Sequence, residues 1–143
     1  MKRSYYQNSI EEFIIEDSNS IFGQLSRNHQ HNLEDLQKNA WIKQIDILKY
    51  SLSGIKGNIY FEFSIPRMGK RVDNILLINN FIFVVEFKVG DTSYSNLSQN
   101  QTIDYCLDLL NFHEGSHAKT IIPILVATKA PKLSYEFEKA KLL

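Results

Sequence analysis

Two apolar runs, residues 71–78 and 81–89, lie back to back in the stretch RVDNILLINNFIFVVEFKVG, and they meet at Asn79-Asn80. Both are rich in β-branched residues, as strands are. Asparagine tolerates the positive φ that a two-residue hairpin turn requires, so the pattern predicts an antiparallel hairpin with its turn at Asn79-Asn80. That turn sets the register. Ile78 faces Phe81, and counting back puts Asp73 opposite Glu86 and Arg71 opposite Lys88. Residues two apart along a strand share a face, so all four charges are expected to converge. A three-residue loop would shift the pairing by one and scatter them.

Opposed carboxylates repel one another, so a positive charge belongs between them. One reading is a structural quartet in which Arg71 and Lys88 neutralise the pair. The other is a divalent cation. Mg²⁺ takes hard oxygen ligands, is held by one or two carboxylates plus water, and completes its shell with substrate phosphate. Lys88 then stands two residues from a ligand on the same face, where its ammonium can position a water or stabilise charge developing at phosphorus. Two acids, a lysine and a metal are the parts of a site that hydrolyses phosphodiesters.

The flanking segments supply the rest of an α/β domain. Ser9 followed by Glu12 is a capping-box pattern, which predicts a short helix over SIEEFIIED, with a second short helical piece over IFGQLSR. In LEDLQKNAWIKQIDILKYSL, Leu33, Leu36, Ala40, Ile47 and Tyr50 fall near helical spacing, and Trp41, Ile45 and Leu48 widen the stripe. NIYFEFSIP alternates as a strand until Pro66 and Gly69 break it. From Asn96 to about residue 113, Leu97, Ile103, Leu107 and Leu110 again follow helical spacing. TIIPILVAT, 120–128, reads as a fully buried strand that contains Pro123. The expected order is helix, three-stranded antiparallel meander, helix, strand, with extra N-terminal helices. YEFEKAKLL at the end reads as a helix beginning.

At 143 residues and 43% hydrophobic content the chain fits one domain. Residues 1–32 form its N-terminal helical extension, 33–130 its core and 131–143 the start of a connector. Lys plus Arg number 16 and Asp plus Glu number 16, so no global positive field marks a nucleic-acid or membrane partner. An anionic ligand has to be met locally, and Arg67, Lys70 and Arg71 around Pro66-Arg-Met-Gly-Lys are the candidates for phosphate contact, with an ordinary solvated turn as the alternative. Cys106 is the lone cysteine, which excludes an internal disulfide and a cysteine-based zinc site. No window reaches the ~20 apolar residues that span a bilayer. A cytoplasmic protein without a membrane partner is expected. His113 and His117 have the spacing of a helical metal pair, but Gly115 between them favours helix capping or substrate contact. His29 and His31 lie in a polar connector.

Asp73, twelve intervening residues and then Glu86-Phe87-Lys88 in a hairpin resemble the active-site motif of the PD-(D/E)xK nuclease superfamily, and the element order resembles its restriction-endonuclease-like core. Gln101-Thr-Ile-Asp-Tyr105 resembles the Q-x-x-x-Y element of its RecB-like members, and residues four apart share a helix face. FEFSIPRMGKRVD, EFKVG, LDLLNFHEGSH and PILVATKAP are similar to the N-terminal domain of bacterial nuclease-helicase proteins with a Schlafen-type helicase module. That likeness runs from SIEEF to ATKAP. Val72 stands where the motif's name places proline.

The resemblance implies an Mg²⁺- or Mn²⁺-dependent deoxyribonuclease. Asp73, Glu86 and the Phe87 backbone carbonyl would be the metal ligands, Lys88 would orient the attacking water, and Gln101 and Tyr105 would touch phosphate. Another acid from the first long helix is implied too. Glu34 is the positional candidate, Gln37 lies one turn on, and a solvated glutamate is the alternative for Glu34. Glu62 faces the site from the neighbouring strand or else sits at an exposed edge. The implied partners are nucleic acid, DNA before RNA, and a covalently linked helicase region, in phage defence or DNA processing; a homo-oligomer is left open. No G-x-x-x-x-G-K-[ST] phosphate loop is present. The rival from another class is a catalytically silent nucleic-acid-binding module that feeds a helicase.

Overall fold

The computed structural model describes residues 3–29, 34–112 and 118–131. The chain is mixed α/β, with four helices and one five-stranded sheet. Its elements are β1 (Tyr6–Ser9), α1 (Ile10–Ile15), α2 (Ser18–Asn28), α3 (Asp35–Ser51), β2 (Asn58–Ile65), β3 (Lys70–Ile78), β4 (Phe81–Lys88), α4 (Asn96–Phe112) and β5 (Thr120–Ala127). Strand order follows chain order. β1 to β4 pair antiparallel, and β5 pairs parallel to β4. A parallel pair needs a crossover, and α4 supplies it.

Local chemistry explains the element ends. The Ser9 hydroxyl accepts the N–H of Glu12, closing the first turn of α1 as the capping pattern predicts. Asn79 takes φ 55° at the β3–β4 turn, and Ile78 pairs with Phe81 as expected. Gly57 lies where an added Cβ would fall 2.2 Å from the Leu77 carbonyl oxygen, so the approach of the chain to β2 admits only glycine.

Two apolar clusters flank the sheet. On one face α1, α2 and α3 pack Phe13, Ile21, Leu25, Trp41 and Ile45 against Ile59, Phe61 and Val85. On the other, Tyr105 and Leu109 of α4 pack against Phe63, Val72, Ile75, Ile82 and Val84. Trp41, Phe13 and Phe61 are fully buried, each stabilising the fold by about 1.5–3 kcal/mol relative to exposure. Phe61→Ala alone would cost about 3–5 kcal/mol, because it touches the packing of α1 and β1 together.

Several expectations require correction. The N-terminal segment contains a strand as well as helices: β1 is a four-residue edge in which only Tyr6 is buried, too short to alternate visibly. On α3, Leu36 and Tyr50 are exposed, and the inward stripe is Trp41, Gln44, Ile45 and Leu48. On α4, Leu97, Ile103, Leu107 and Leu110 face outward, while Ser98, Thr102, Tyr105 and Leu109 face the sheet. Small hydroxyl residues let the helix approach closely, and Thr102 satisfies its Oγ1 on the Ser98 carbonyl at 2.8 Å. β5 is a half-buried sheet edge rather than a fully buried strand, which is why Pro123 is tolerated there. Among the described residues no helix is long and apolar enough to cross a membrane. His31, His113, Gly115, His117 and the terminal YEFEKAKLL fall outside the described residues.

Candidate functional site

The β2–β3 ladder is interrupted at one place. Phe61 pairs with Asn74 and Phe63 with Val72, but Glu62 and Asp73 between them do not pair. Glu62 adopts φ 53°, a left-handed conformation that costs a non-glycine residue about 1–2 kcal/mol. Its effect is visible on both sides. Ile59 and Phe61 pack on the α3 face while Phe63 and Ile65 pack on the α4 face, although an unbroken strand would keep all four together. The Glu62 carboxylate accepts the Trp41 indole N–H at 3.2 Å, and its carbonyl accepts Arg71 Nη1 at 2.6 Å.

The β3–β4 ladder ends at Asn74 and Val85. Beyond that point side chains continue the register. The Asp73 N–H donates to Glu86 Oε1 at 2.8 Å, and the Phe87 N–H donates to Asp73 Oδ2 at 2.8 Å. Asp73 and Glu86 thus lie opposite each other, as the two-residue turn predicts, and each carboxylate spends an oxygen on the other strand's main chain. Lys88 reaches α4, donating from Nζ to Gln101 Oε1 at 3.0 Å. Gln101 in turn donates from Nε2 to the Tyr105 hydroxyl at 3.1 Å. Five predicted site residues are therefore gathered at one end of the hairpin.

Their electrostatics are unfavourable without a further cation. Glu86 is 5% exposed, and burial, then the neighbouring Asp73 charge, push its carboxyl up to about 8 against the pull of the Asp73 N–H and Lys88. Asp73 is also raised by burial, opposed by the Phe87 N–H, Lys88 and a hydrogen bond with Glu86. Glu62 is pushed up to about 7 by burial and then by Asp73, with Trp41 and Arg71 opposing. Burial raises the Tyr105 hydroxyl, and Glu86 and Asp73 raise it further. Burial and mutual repulsion thus favour the protonated form in a pair that would be fully ionised in water.

A divalent cation fits this donor set on chemical grounds: the carboxylates are hard ligands, mutually repelling and desolvated, and a cation would supply the compensating charge. Phe87 meets Asp73 through its N–H at 2.8 Å. Among the described residues no set of three or more His, Cys, Asp or Glu side chains forms a metal-binding group. A cation here would rest on two carboxylates, main-chain oxygen and water.

Other expected site residues go elsewhere. Glu34 is the exposed N-cap of α3 and makes no capping bond. It is not gathered with the pair; a helix-terminal side chain in water has no reason to leave it. Gln37 is half-buried one turn further on. Arg71 does not converge with Lys88. Its guanidinium lies 4.3 Å from the Tyr5 ring centroid and bonds the Glu62 carbonyl, because the break at Glu62 offers it an acceptor on the other side. Lys70 is drawn to Asp108 of α4 at 3.7 Å, and Arg67 sits exposed in the turn at φ 67°. The three basic residues are thus three separate environments. His29 packs edge-on against Tyr5 and Trp41, at 6.0 and 5.7 Å.

Two buried polar residues escape a reading of the sequence. Asn74 is completely buried and Gln44 is 2% exposed. Gln44 was within reach, since it lies three residues after Trp41 and one before Ile45, inside the true buried stripe of α3. Asn74 carried no signal beyond adjacency to Asp73. No protein-family model, curated protein or solved structure matches the chain.

Proposed function

We propose that this chain is a metal-dependent nuclease domain of the PD-(D/E)xK type, which hydrolyses phosphodiester bonds in DNA. The observation that carries the reading is the crossed pair, Asp73 N–H to Glu86 and Phe87 N–H to Asp73, with Lys88 two residues on and bonded to Gln101. The Lys88 charge acts on both Asp73 and Glu86, whereas Arg71 stacks on Tyr5 and acts on the Glu62 carboxylate.

A bound Mg²⁺ or Mn²⁺ would polarise the phosphate, supply a water of lowered pKa and offset charge on the leaving oxygen. Asp73 and Glu86 would hold it in their ionised forms. Lys88 is bonded across to Gln101 of α4, and its ammonium would orient the attacking water or the non-bridging phosphate oxygen. Gln101 fixes the direction of Lys88, and Tyr105 fixes Gln101, so both would act as positioning residues that also meet phosphate. The resemblance to nuclease-helicase N-terminal domains extends the reading to nucleic-acid processing beside a helicase, with phage defence as one setting.

The competing reading, a silent module that binds nucleic acid for a helicase, draws on the same buried pair: carboxylates latched to main-chain N–H groups also stabilise a strand end. One experiment separates the two. Labelled single- and double-stranded DNA and RNA are incubated with Mg²⁺, Mn²⁺ or EDTA, using wild type and Glu86→Ala. Metal-dependent cutting lost in the variant supports the nuclease; binding without cutting under every condition supports the silent module.

A further inference from the structure

Beside the Lys88, Gln101 and Tyr105 chain lies an open hollow of about 180 Å³, lined by Lys70, Leu97, Asn100, Gln101, Asp104 and Tyr105. It shares Gln101 and Tyr105 with the candidate site, so any occupant lies one residue from Lys88. Five of its six lining residues come from successive turns of α4, where residues three and four apart are neighbours. Leu97, 81% exposed, supplies an apolar surface. Asn100 supplies an amide that donates and accepts, and Asp104 a carboxylate that only accepts. Lys70 stands at the rim, half exposed and paired with Asp108.

This inventory has a specific complement. A carboxylate beside a phosphate backbone is repelled by it, so Asp104 must face N–H donors rather than phosphate oxygens. Among nucleic-acid components those donors are amino groups on base edges, and a carboxylate accepts from the cytosine amino group in this way. A base can enter such a hollow only when it has left the duplex stack, and the apolar side chain of Leu97 would then cover its face. Lys70 would then meet the adjoining phosphate as a point charge. We infer that the hollow receives an unpaired nucleobase bearing an exocyclic amino group, so that the site works on single strands and disfavours thymine and uracil. The inference rests on the nuclease reading for its biological sense, but its geometry and its test do not need cleavage.

The test is fluorescence anisotropy with labelled oligo(dC) and oligo(dT) of equal length, in EDTA at slightly alkaline pH, followed by cleavage of the same oligonucleotides with Mn²⁺. Wild type should bind oligo(dC) at least about fivefold more tightly than oligo(dT). Asp104→Ala should abolish that ratio by weakening oligo(dC) towards oligo(dT), because it removes the acceptor of the amino group. Asp104 is exposed, so the variant should fold, and its melting temperature checks that it does. Equal affinities in wild type, no binding to either strand, or a ratio unchanged in Asp104→Ala overturns the inference. Cleavage without base preference sinks the hollow and leaves the nuclease reading standing. A preference lost in Asp104→Ala without cleavage under any metal supports the hollow and sinks the nuclease.

Discussion

Asp73 gives its main-chain N–H to the Glu86 carboxylate at 2.8 Å, and the Asp73 carboxylate takes the N–H of Phe87, the next residue after Glu86, at the same distance. Two acids that should repel are therefore also the fastening of the β3–β4 hairpin beyond its last ladder pair. Charge and hydrogen bonding act oppositely at one place, and they can be separated by substitution.

Glu86→Gln keeps an oxygen that can accept the Asp73 N–H but removes the charge that Asp73 opposes. Its stability at neutral pH should match or exceed wild type. Glu86→Ala leaves that N–H without its acceptor and should cost about 1–3 kcal/mol. Both should lose metal-dependent cleavage. Denaturant midpoints read the first effect and cleavage rates the second; equal destabilisation of both variants with activity retained would sink the assignment.

The pH dependence of stability follows from the raised carboxyls. Glu86 titrates at about 8 in the fold against an ordinary 4.5, and Glu62 at about 7. Between those limits the folded chain binds more protons than the unfolded one, so stability falls as pH rises, through the window from about 4.5 to about 8. A cation between the carboxylates does the work of the proton. Melting curves in EDTA should drop across this window, and Mn²⁺ should raise the melting temperature far more at its alkaline end than at its acidic end. A metal effect independent of pH would contradict the raised carboxyls.

How much of this was legible in the sequence depended on whether the signal was local. Asn79-Asn80 announced a two-residue turn, and the turn alone placed Asp73 against Glu86. Gln101 and Tyr105 were readable as a pair one helical turn apart. The break at Glu62 was not readable: in FEF it looks like one more alternating residue, and only the partner strand shows that it and Asp73 leave the ladder together. Arg71 was misdirected for the same reason, since its acceptor is a carbonyl that the break turns outward. The face of α4 was misread, and that of α3 in part, at Leu36 and Tyr50, because both helices carry large apolar residues on their exposed sides. The hydroxyls that α4 buries are satisfied locally, Ser98 by the Ser95 hydroxyl and Thr102 by the Ser98 carbonyl, and both look solvated in sequence.

Lys88, Gln101 and Tyr105 form a chain whose links should weaken in order. Lys88→Ala should lower cleavage by about 10²–10⁴-fold if the ammonium orients water or phosphate. Gln101→Ala frees Lys88 and should cost less, and Tyr105→Phe, which removes only the acceptor of Gln101, less again. Single-turnover rates at saturating substrate give the order. A Tyr105→Phe defect as large as that of Lys88→Ala would show that Tyr105 acts directly.

Gly57→Ala should be among the most damaging single-methyl changes in the chain. The added Cβ would fall 2.2 Å from the Leu77 carbonyl oxygen and 3.2 Å from Ile10 and Ile78, at φ 158°. Main chain cannot move aside cheaply, since Gly57 also accepts the Ile10 N–H at 2.9 Å. Overpacking of this kind costs about 1–3 kcal/mol. Gly54→Ala is the matched control for space, because nothing lies within 4 Å of its Cβ position. Urea midpoints should fall further for Gly57→Ala than for Gly54→Ala, and equal shifts would place the cost in backbone conformation instead.

Arg67 and Arg71 read alike in sequence, but the fold gives them different work. Arg67 is exposed in the β2–β3 turn. Arg67→Ala should leave the melting temperature unchanged, weaken nucleic-acid binding uniformly across sequences and reduce the slope of log affinity against log salt by about one. Arg71 holds Tyr5 and the Glu62 carbonyl. Its removal takes away a charged hydrogen bond, worth about 1.5–3 kcal/mol, and a stacked cation, so Arg71→Ala should lower stability first. Arg71→Lys should not rescue it, because an ammonium cannot both lie flat on the ring and donate in the plane of the guanidinium. Salt-dependent binding titrations alongside thermal melts check both. An unchanged melting temperature in Arg71→Ala, with a reduced salt slope, would return Arg71 to the phosphate-binding group and undo the reading of the break at Glu62 as its anchor.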